Sequence, residues 1–233
     1  DGDEAVSVSG SVSVADANTI AGKTSGAVTA TIATGSYTDL NALNETNNAY
    51  ALNLNESITV DQANALDAKT TGVITATLST QDLATLAGLN GTGNAYTVTV
   101  TDTSATASEL TSIDAATTVA VQAGNVTSLS GTATEVKAAY TADASGTIVL
   151  DGDEAVSVSG SVSVADANII AGKTSGAVTA TIAEGDLTTL AGLNETGNAY
   201  TVTVTDTSAT ASALTTLNGK TTVDVNASAV STI

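Results

Sequence analysis

Cysteine, proline, methionine, phenylalanine and tryptophan are all missing from this chain, and histidine and arginine are missing too. Without cysteine there is no disulfide, thiolate metal site or cysteine nucleophile, and neither redox compartment is favoured. Without histidine the commonest general base is gone, and the sequence contains neither a G-x-S-x-G elbow nor a P-loop. Five lysines stand against 24 acidic residues, for a net charge of -19, which repels nucleic acid and anionic lipid. No run reaches the roughly 18 apolar residues of a membrane span. The opening "DGDEAVSVSG" lacks the basic and apolar regions of a signal peptide, so an export address is expected to lie elsewhere. Aromatics are limited to five tyrosines.

What is present is small. Of the 233 residues 42% are hydrophobic, mostly Ala, Val, Leu and Ile, set among Thr, Ser, Asn and Gly. Such side chains fill a narrow core between thin layers better than a wide one, which favours an elongated body. Few aromatics and high charge are marks of disorder, but the positive mean hydropathy and regular patterning point to a folded chain.

The sequence repeats itself at two levels. Residues 1–33 and 151–183 differ at a single position, Thr19 against Ile169, and residues 49–129 match 153–233, more loosely at some points, at a constant offset of 104. Beneath these copies, a phrase of 22 residues (27–48, 73–94, 177–198) alternates with one of about 24 (3–26, 49–72, 95–118, 153–176, 199–222). A longer unit, 119–152, closes the cycle, and its first part returns at 223–233. The expectation is one continuous array over 1–233, cut from a longer one.

Each unit opens with period-two alternation. Tyr96, Val98 and Val100 face one way and Thr97, Thr99 and Thr101 the other; Val28, Ala30 and Ile32, and Ile74, Ala76 and Leu78, read alike. The apolar spacing then changes to three: Ala107, Leu110, Ile113; Leu83, Leu86, Leu89; Leu187, Leu190, Leu193; Val164, Ala167, Ile170. That spacing predicts two helical turns, started by Thr106 with Glu109 and by Ser79 with Asp82. Gly or Asn marks the stops, and Lys69, Lys173 and Lys220 lie near helix ends, where a cation suits the dipole. Helices this short need a sheet to dock on. The predicted class is an α/β solenoid of 22–24-residue strand-plus-helix units with a parallel sheet on one face. An all-β solenoid is the alternative, since Thr and Val favour strands.

The phrases "TLAGLNETGNAYTVTVTDTSATAS" and "GTATEVKAAYTADASG" resemble the repeats of very large surface or secreted proteins of marine cyanobacteria. The resemblance implies a cell-surface or extracellular place without a defined activity. Unit length also resembles that of leucine-rich repeats, but the fixed Asn of that family is absent: Asn55, Ser79, Asp102 or Ala183 follows the strand.

Two groups of residues suggest binding chemistry. The acidic turns Asp1, Asp3, Glu4 and Asp151, Asp153, Glu154 are clusters of hard oxygens around a glycine, a candidate Ca²⁺ set lacking the full EF-hand pattern. The bland reading is a solvated turn. Thr75, Thr77, Thr97, Thr99, Thr179, Thr181, Thr201 and Thr203 form an outward hydroxyl and methyl face suited to ice or polysaccharide. The bland reading, a strand-forming soluble face, is favoured because Asn53 and Asn55, and Ser157 and Ser159, interrupt it. Six Asn-x-Ser/Thr sequons follow from composition and repetition. The functional expectation is a structural segment forming a fibre, surface coat or adhesive stalk. It would associate with itself, need no cofactor beyond a candidate Ca²⁺ and perform no catalysis. A surface-binding module is the alternative.

Overall fold

A computed structural model describes residues 2–79 and 82–233. The chain is mixed α/β with parallel sheets. Its first stretch runs β1 (Val6–Val12), α1 (Val14–Ala21), β2 (Val28–Ile32), α2 (Tyr37–Leu40), β3 (Ala49–Ile58), α3 (Val60–Asp67), β4 (Ile74–Leu78), α4 (Leu83–Leu86) and β5 (Ala95–Thr97). It continues with β6 (Ser104–Thr106), α5 (Ala107–Ala116), β7 (Val121–Gln122), β8 (Ser128–Thr132), α6 (Ala133–Ser145) and β9 (Ile148–Val149). The last elements are β10 (Ala155–Val162), α7 (Val164–Ala171), β11 (Val178–Ile182), α8 (Leu187–Leu190), β12 (Ala199–Thr201) and α9 (Ala211–Asn218). The helices overturn the all-β alternative.

Contacts gather the chain into two compact units, residues 1–101 with 112–122, and residues 102–111 with 123–233. The first holds a five-stranded parallel sheet in the order β1-β2-β3-β4-β5, and the second one in the order β12-β11-β10-β8-β6. From β1 to β5 and from β10 to β12 a crossover follows each strand and neighbours in sequence pair in parallel, whereas β8 pairs in parallel with β10 and β6, skipping β9 and β7. Alternation does what it predicts: β2, β4 and β11 bury Val28, Ala30, Ile32, Ile74, Ala76, Leu78, Val178, Ala180 and Ile182 and expose the threonines between them.

Every α/β repeat of the 24-residue type that starts with a long strand carries a bulge. Ser7 to Ser11 spans the same rise as Thr29 to Thr31, and Asn53 to Ser57 and Ser157 to Ser161 behave alike. Gly10 and Gly160 take a positive φ (79° and 76°) in two of these bulges, whereas the β3 bulge, Asn53 to Ser57, is made without a glycine.

Helix starts follow local chemistry. Thr106 and Glu109 form the predicted reciprocal pair, Glu109 N–H donating to Thr106 Oγ1 at 3.1 Å and Thr106 N–H to Glu109 Oε2 at 2.9 Å. Ser79 does not start α4. Its hydroxyl donates to the Ile58 carbonyl at 3.2 Å, and Asp82 itself is the cap, accepting from Thr85 N–H at 3.0 Å. The strand expected through Val100 is regular only over β5. Val98 and Val100 are nevertheless buried, and Thr99 is bridged to Gln122. Among the predicted trios, Ala107, Leu110, Ile113 and Val164, Ala167, Ile170 are buried, whereas Leu89, past the end of α4, and Leu187, at the start of α8, are half-exposed.

Candidate functional site

The residues that recur most regularly inside each unit are polar. Asn48, Asn94 and Asn198 are buried, and their side-chain carbonyls accept from Val28 N–H, Ile74 N–H and Val178 N–H at 2.7, 2.9 and 2.8 Å. Each satisfies the first amide of the preceding coil's strand, a donor that would otherwise be buried without a partner. Thr70, Thr117 and Thr221 do the same in the alternate coils. Their hydroxyls accept from the amides of Tyr50, Tyr96 and Tyr200 at 2.8, 2.9 and 2.9 Å and donate back to the same residues' carbonyls at 2.8, 2.8 and 2.7 Å.

The helix side has its own polar rung. Asn18, Asn64 and Asn168 donate to the carbonyls of Ala42, Gly88 and Gly192 and accept from the amides of Asn44, Asn90 and Asn194, all between 2.7 and 3.0 Å. Lys69 and Lys220 donate to Leu43 O and Asn194 O at 2.8 and 3.0 Å, which gives the predicted cations a bonded role beyond the dipole. Several acids are spent on helix starts. Glu56, Glu184 and Asp206 accept from Tyr37 N–H, Val164 N–H and Leu187 N–H at 2.7, 3.0 and 2.7 Å, each bond joining one sequence repeat to the next. Such bonds hold Asp39, Asp82, Glu135 and Asp186 below the usual carboxylate range. For Asp39 and Glu135 the partners are Ser36 and Thr132, and for Asp82 and Asp186 the amides of Thr85 and Thr189.

The threonine face is exposed, but its columns are not uniform. Thr77 stands beside Thr97 and Thr181 beside Thr201, while Thr75 lies between Asn53 and Ala95, and Thr179 between Ser157 and Ala199. Thr75, Thr77 and Thr97 meet Asn55 and Glu56 around a shallow depression of about 340 Å³ at the β3 bulge. Thr99 and Thr203 lie beyond the regular strands, bridged to Gln122 and Asn226.

The acidic turns are real turns, with φ of 77° at Gly2 and 74° at Gly152. Asp1 lies outside the described residues, and Asp3 and Glu4 are exposed. Asp151, Asp153 and Glu154 are not gathered around one point. Asp151 packs its carboxylate against Gly124, Asp153 is exposed, and Glu154 is fully buried. Glu154 accepts from Gly152 N–H at 3.0 Å and from the Tyr140 hydroxyl at 3.2 Å. Among the described residues no group of three or more acidic, histidine or cysteine side chains is placed to hold a metal ion. Burial first, and the nearby Glu154 carboxylate second, push the Tyr140 hydroxyl up.

One pocket, of about 210 Å³, lies where the repeat is broken. Lys137, Tyr140 and Ala144 from the longest helix, α6, face Ile169 and Lys173 from α7 and the turn after it. Lys137 is bound to Asp166 at 2.5 Å, and this neighbour holds Asp166 below the carboxylate range. Ile169, 49% exposed, is the one residue that distinguishes 151–183 from 1–33.

Sequence reasoning missed the Asn and Thr rungs and the Tyr140–Glu154 pair. The signal for the first was on the page: the tripeptide Asn-Ala-Tyr occurs at 48–50, 94–96 and 198–200. Geometry defines a mixed α/β repeat protein built on parallel sheets. No protein-family model, curated protein or solved structure matches the chain.

Proposed function

We propose that this chain is a structural segment of an acidic extracellular or cell-surface repeat protein. Its strand–helix coils form one stacked α/β solenoid, and the assembled material is a fibre, coat or adhesive stalk. A single observation carries the reading: the polar side chains that recur from unit to unit are spent on bonds to the next coil. Asn48, Thr70, Asn94 and Thr117 in one unit, and Asn198 and Thr221 in the other, illustrate it. Buried bonds of this kind hold coils in register and leave hydroxyls and carboxylates for the surface. Among the described residues no group of three or more acidic side chains converges, and the chain has no histidine or cysteine to serve catalysis. Polysaccharide or ice binding by the strand face is less well supported, because Asn53, Ala95, Ser157 and Ala199 stand among its threonines. Among the described residues no helix is long and apolar enough to cross a membrane.

The test is localisation joined to imaging. Antibodies raised against the chain should label the outside of intact source cells or material shed from them, and electron microscopy of that fraction should show filaments or a coat. Label confined to the cell interior would overturn the reading.

A further inference from the structure

Asparagine precedes glycine at two places in this chain, Asn90-Gly91 and Asn218-Gly219. The dipeptide carries a chemistry of its own, because glycine offers the least steric hindrance to attack by its amide nitrogen on the carboxamide carbon of the preceding side chain. Local structure separates the two copies. Asn218 is the last residue of α9, and Gly219, with a helical φ of -72°, donates its N–H to Thr215 O at 3.1 Å. The nitrogen that would attack is therefore bonded, and both residues are held in helical geometry. Asn90 and Gly91 instead lie exposed in the loop between α4 and β5, with Gly91 at a φ of 74°. The Asn90 N–H is tied to Asn64 Oδ1 at 2.8 Å, but among the described residues neither the Gly91 N–H nor the Asn90 carboxamide has a hydrogen-bond partner.

Glycine at 91 has a structural cause. The matching loop residues in the other 22-residue phrases are Glu45 and Glu195, each also preceded by asparagine. At 91 the Asp67 carboxylate lies where a side chain would begin, so a Cβ there would collide with it. Asn94 fixes that carboxylate, its Nδ2 donating to Asp67 Oδ1 at 2.8 Å. The helix-end residues that match Asp67 ahead of Glu45 and Glu195 are Ala21 and Ala171. An acid thus reaches this corner in all three copies, from the loop in two and from the helix in the third. In each it adds to burial in raising a tyrosine hydroxyl: Glu45 for Tyr50, Asp67 for Tyr96 and Glu195 for Tyr200. Where the helix supplies the acid, the loop must supply glycine, and an asparagine is left in front of it.

We propose that Asn90 is a site of spontaneous deamidation through a cyclic imide formed with Gly91. The Gly91 nitrogen bonds to Asn90 Cγ, the Cγ–Nδ2 bond breaks, and ammonia leaves with the proton from the Gly91 nitrogen. Water then opens the ring at either carbonyl and leaves aspartate or isoaspartate at 90, with no oxidant, reductant or cofactor. A depression of about 390 Å³ bordered by Asp67, Thr70 and Gly91 to Asn94 admits that water. The isoaspartyl product lengthens the main chain beside the amide that Asn64 holds, so ageing loosens the bonds by which Asn64 joins Gly88 and Asn90.

Peptide-resolved mass spectrometry of the purified full chain, incubated at neutral and mildly alkaline pH, tests this. Asn90 should convert to a mixture of aspartate and isoaspartate, faster as pH rises. It should convert at least roughly fivefold faster than Asn218, the factor that one net hydrogen bond is worth. In urea the two rates should converge, since neither dipeptide then has structure. Asn44 and Asn194, each followed by glutamate, should stay intact in the same samples. The double variant Asp67→Ala with Gly91→Glu copies the combinations at 21 with 45 and at 171 with 195, so it should fold and lose conversion at Asn90. Equal rates at Asn90 and Asn218 in the folded chain would overturn the proposal. So would an Asn90 that stays intact when folded yet converts in urea, or conversion that persists in the folded double variant.

Discussion

Tyrosine is the one aromatic in this protein, and four of its five copies, all but Tyr37, are buried in two different environments. Tyr50, Tyr96 and Tyr200 are buried in the strands, and among the described residues their hydroxyls have no hydrogen-bond partner. Burial pushes all three upward, Tyr200 to about 12, with Glu45, Asp67 and Glu195 adding to the effect on Tyr50, Tyr96 and Tyr200 in turn. Tyr140 differs, since its hydroxyl donates to the buried Glu154. Replacement by phenylalanine should therefore act in opposite directions. Tyr96→Phe removes an unsatisfied polar group and should stabilise by about 1 kcal/mol, whereas Tyr140→Phe strips a partner from a buried carboxyl and should cost about 2 kcal/mol. Denaturant melts followed by circular dichroism measure both, and equal signs would contradict the assignment. High pH gives a further check. A tyrosine raised in the folded state stabilises fully below its unfolded value of about 10 and loses that contribution as pH climbs through the folded value. Tyr200→Phe should thus hold the fold to higher pH than the parent, through a window that ends near 12.

At the scale of elements, very short helices are held by their first turn. α8 has four residues, and Asp186 caps it by accepting from Thr189 N–H at 2.9 Å. This bond keeps the Asp186 carboxyl below its ordinary range, as the equivalent bond does for Asp82. The folded chain then binds fewer protons than the unfolded chain across the ordinary carboxylate range. The stabilisation is complete above the unfolded value of about 4 and is lost as pH falls through the lowered folded value. Asp186→Asn keeps a capping oxygen and removes the titration, so its melting temperature should match the parent near neutrality and fall less steeply on acidification. Thermal melts across the acid range would show it, and parallel curves would count against the cap. These starts were legible for Thr106, where a Glu three residues on completes the pair. They were misplaced at Ser79, because a serine hydroxyl three residues before an aspartate has another use: Ser79 donates to Ile58 O on the adjacent strand. Local spacing does not reveal a competing partner that is 21 residues away.

For the molecule as a whole, the outstanding quantity is a net charge of -19. Like charges repel across a folded surface, and screening relieves them. Melting temperature should rise as NaCl is added from low ionic strength, and Ca²⁺ should give the same rise as Mg²⁺ at equal concentration, because Glu154 is turned inward and Asp151, Asp153 and Glu154 do not converge. Scanning calorimetry in the three salts checks this, and a rise particular to Ca²⁺ would point to a built site.

By itself, the sequence determined the repeat, the side-chain period of strands such as β2, β4 and β11 and the buried face of helices such as α5 and α7. The repeat shows by comparing copies, and the other two depend on residues no more than a few positions apart, as in Val28, Ala30 and Ile32 or Ala107, Leu110 and Ile113. Only the tertiary structure decided which polar residues bond one sequence repeat to the next, which acid is buried, and that identical strands meet different neighbours. Those outcomes depend on pairs 20 or more residues apart, such as Val28 with Asn48 and Lys137 with Asp166, or on a turn that aims Glu154 at Tyr140. Identical residues at 6–12 and 156–162 accordingly differ in burial, because burial is a property of what packs against a strand and not of the strand alone.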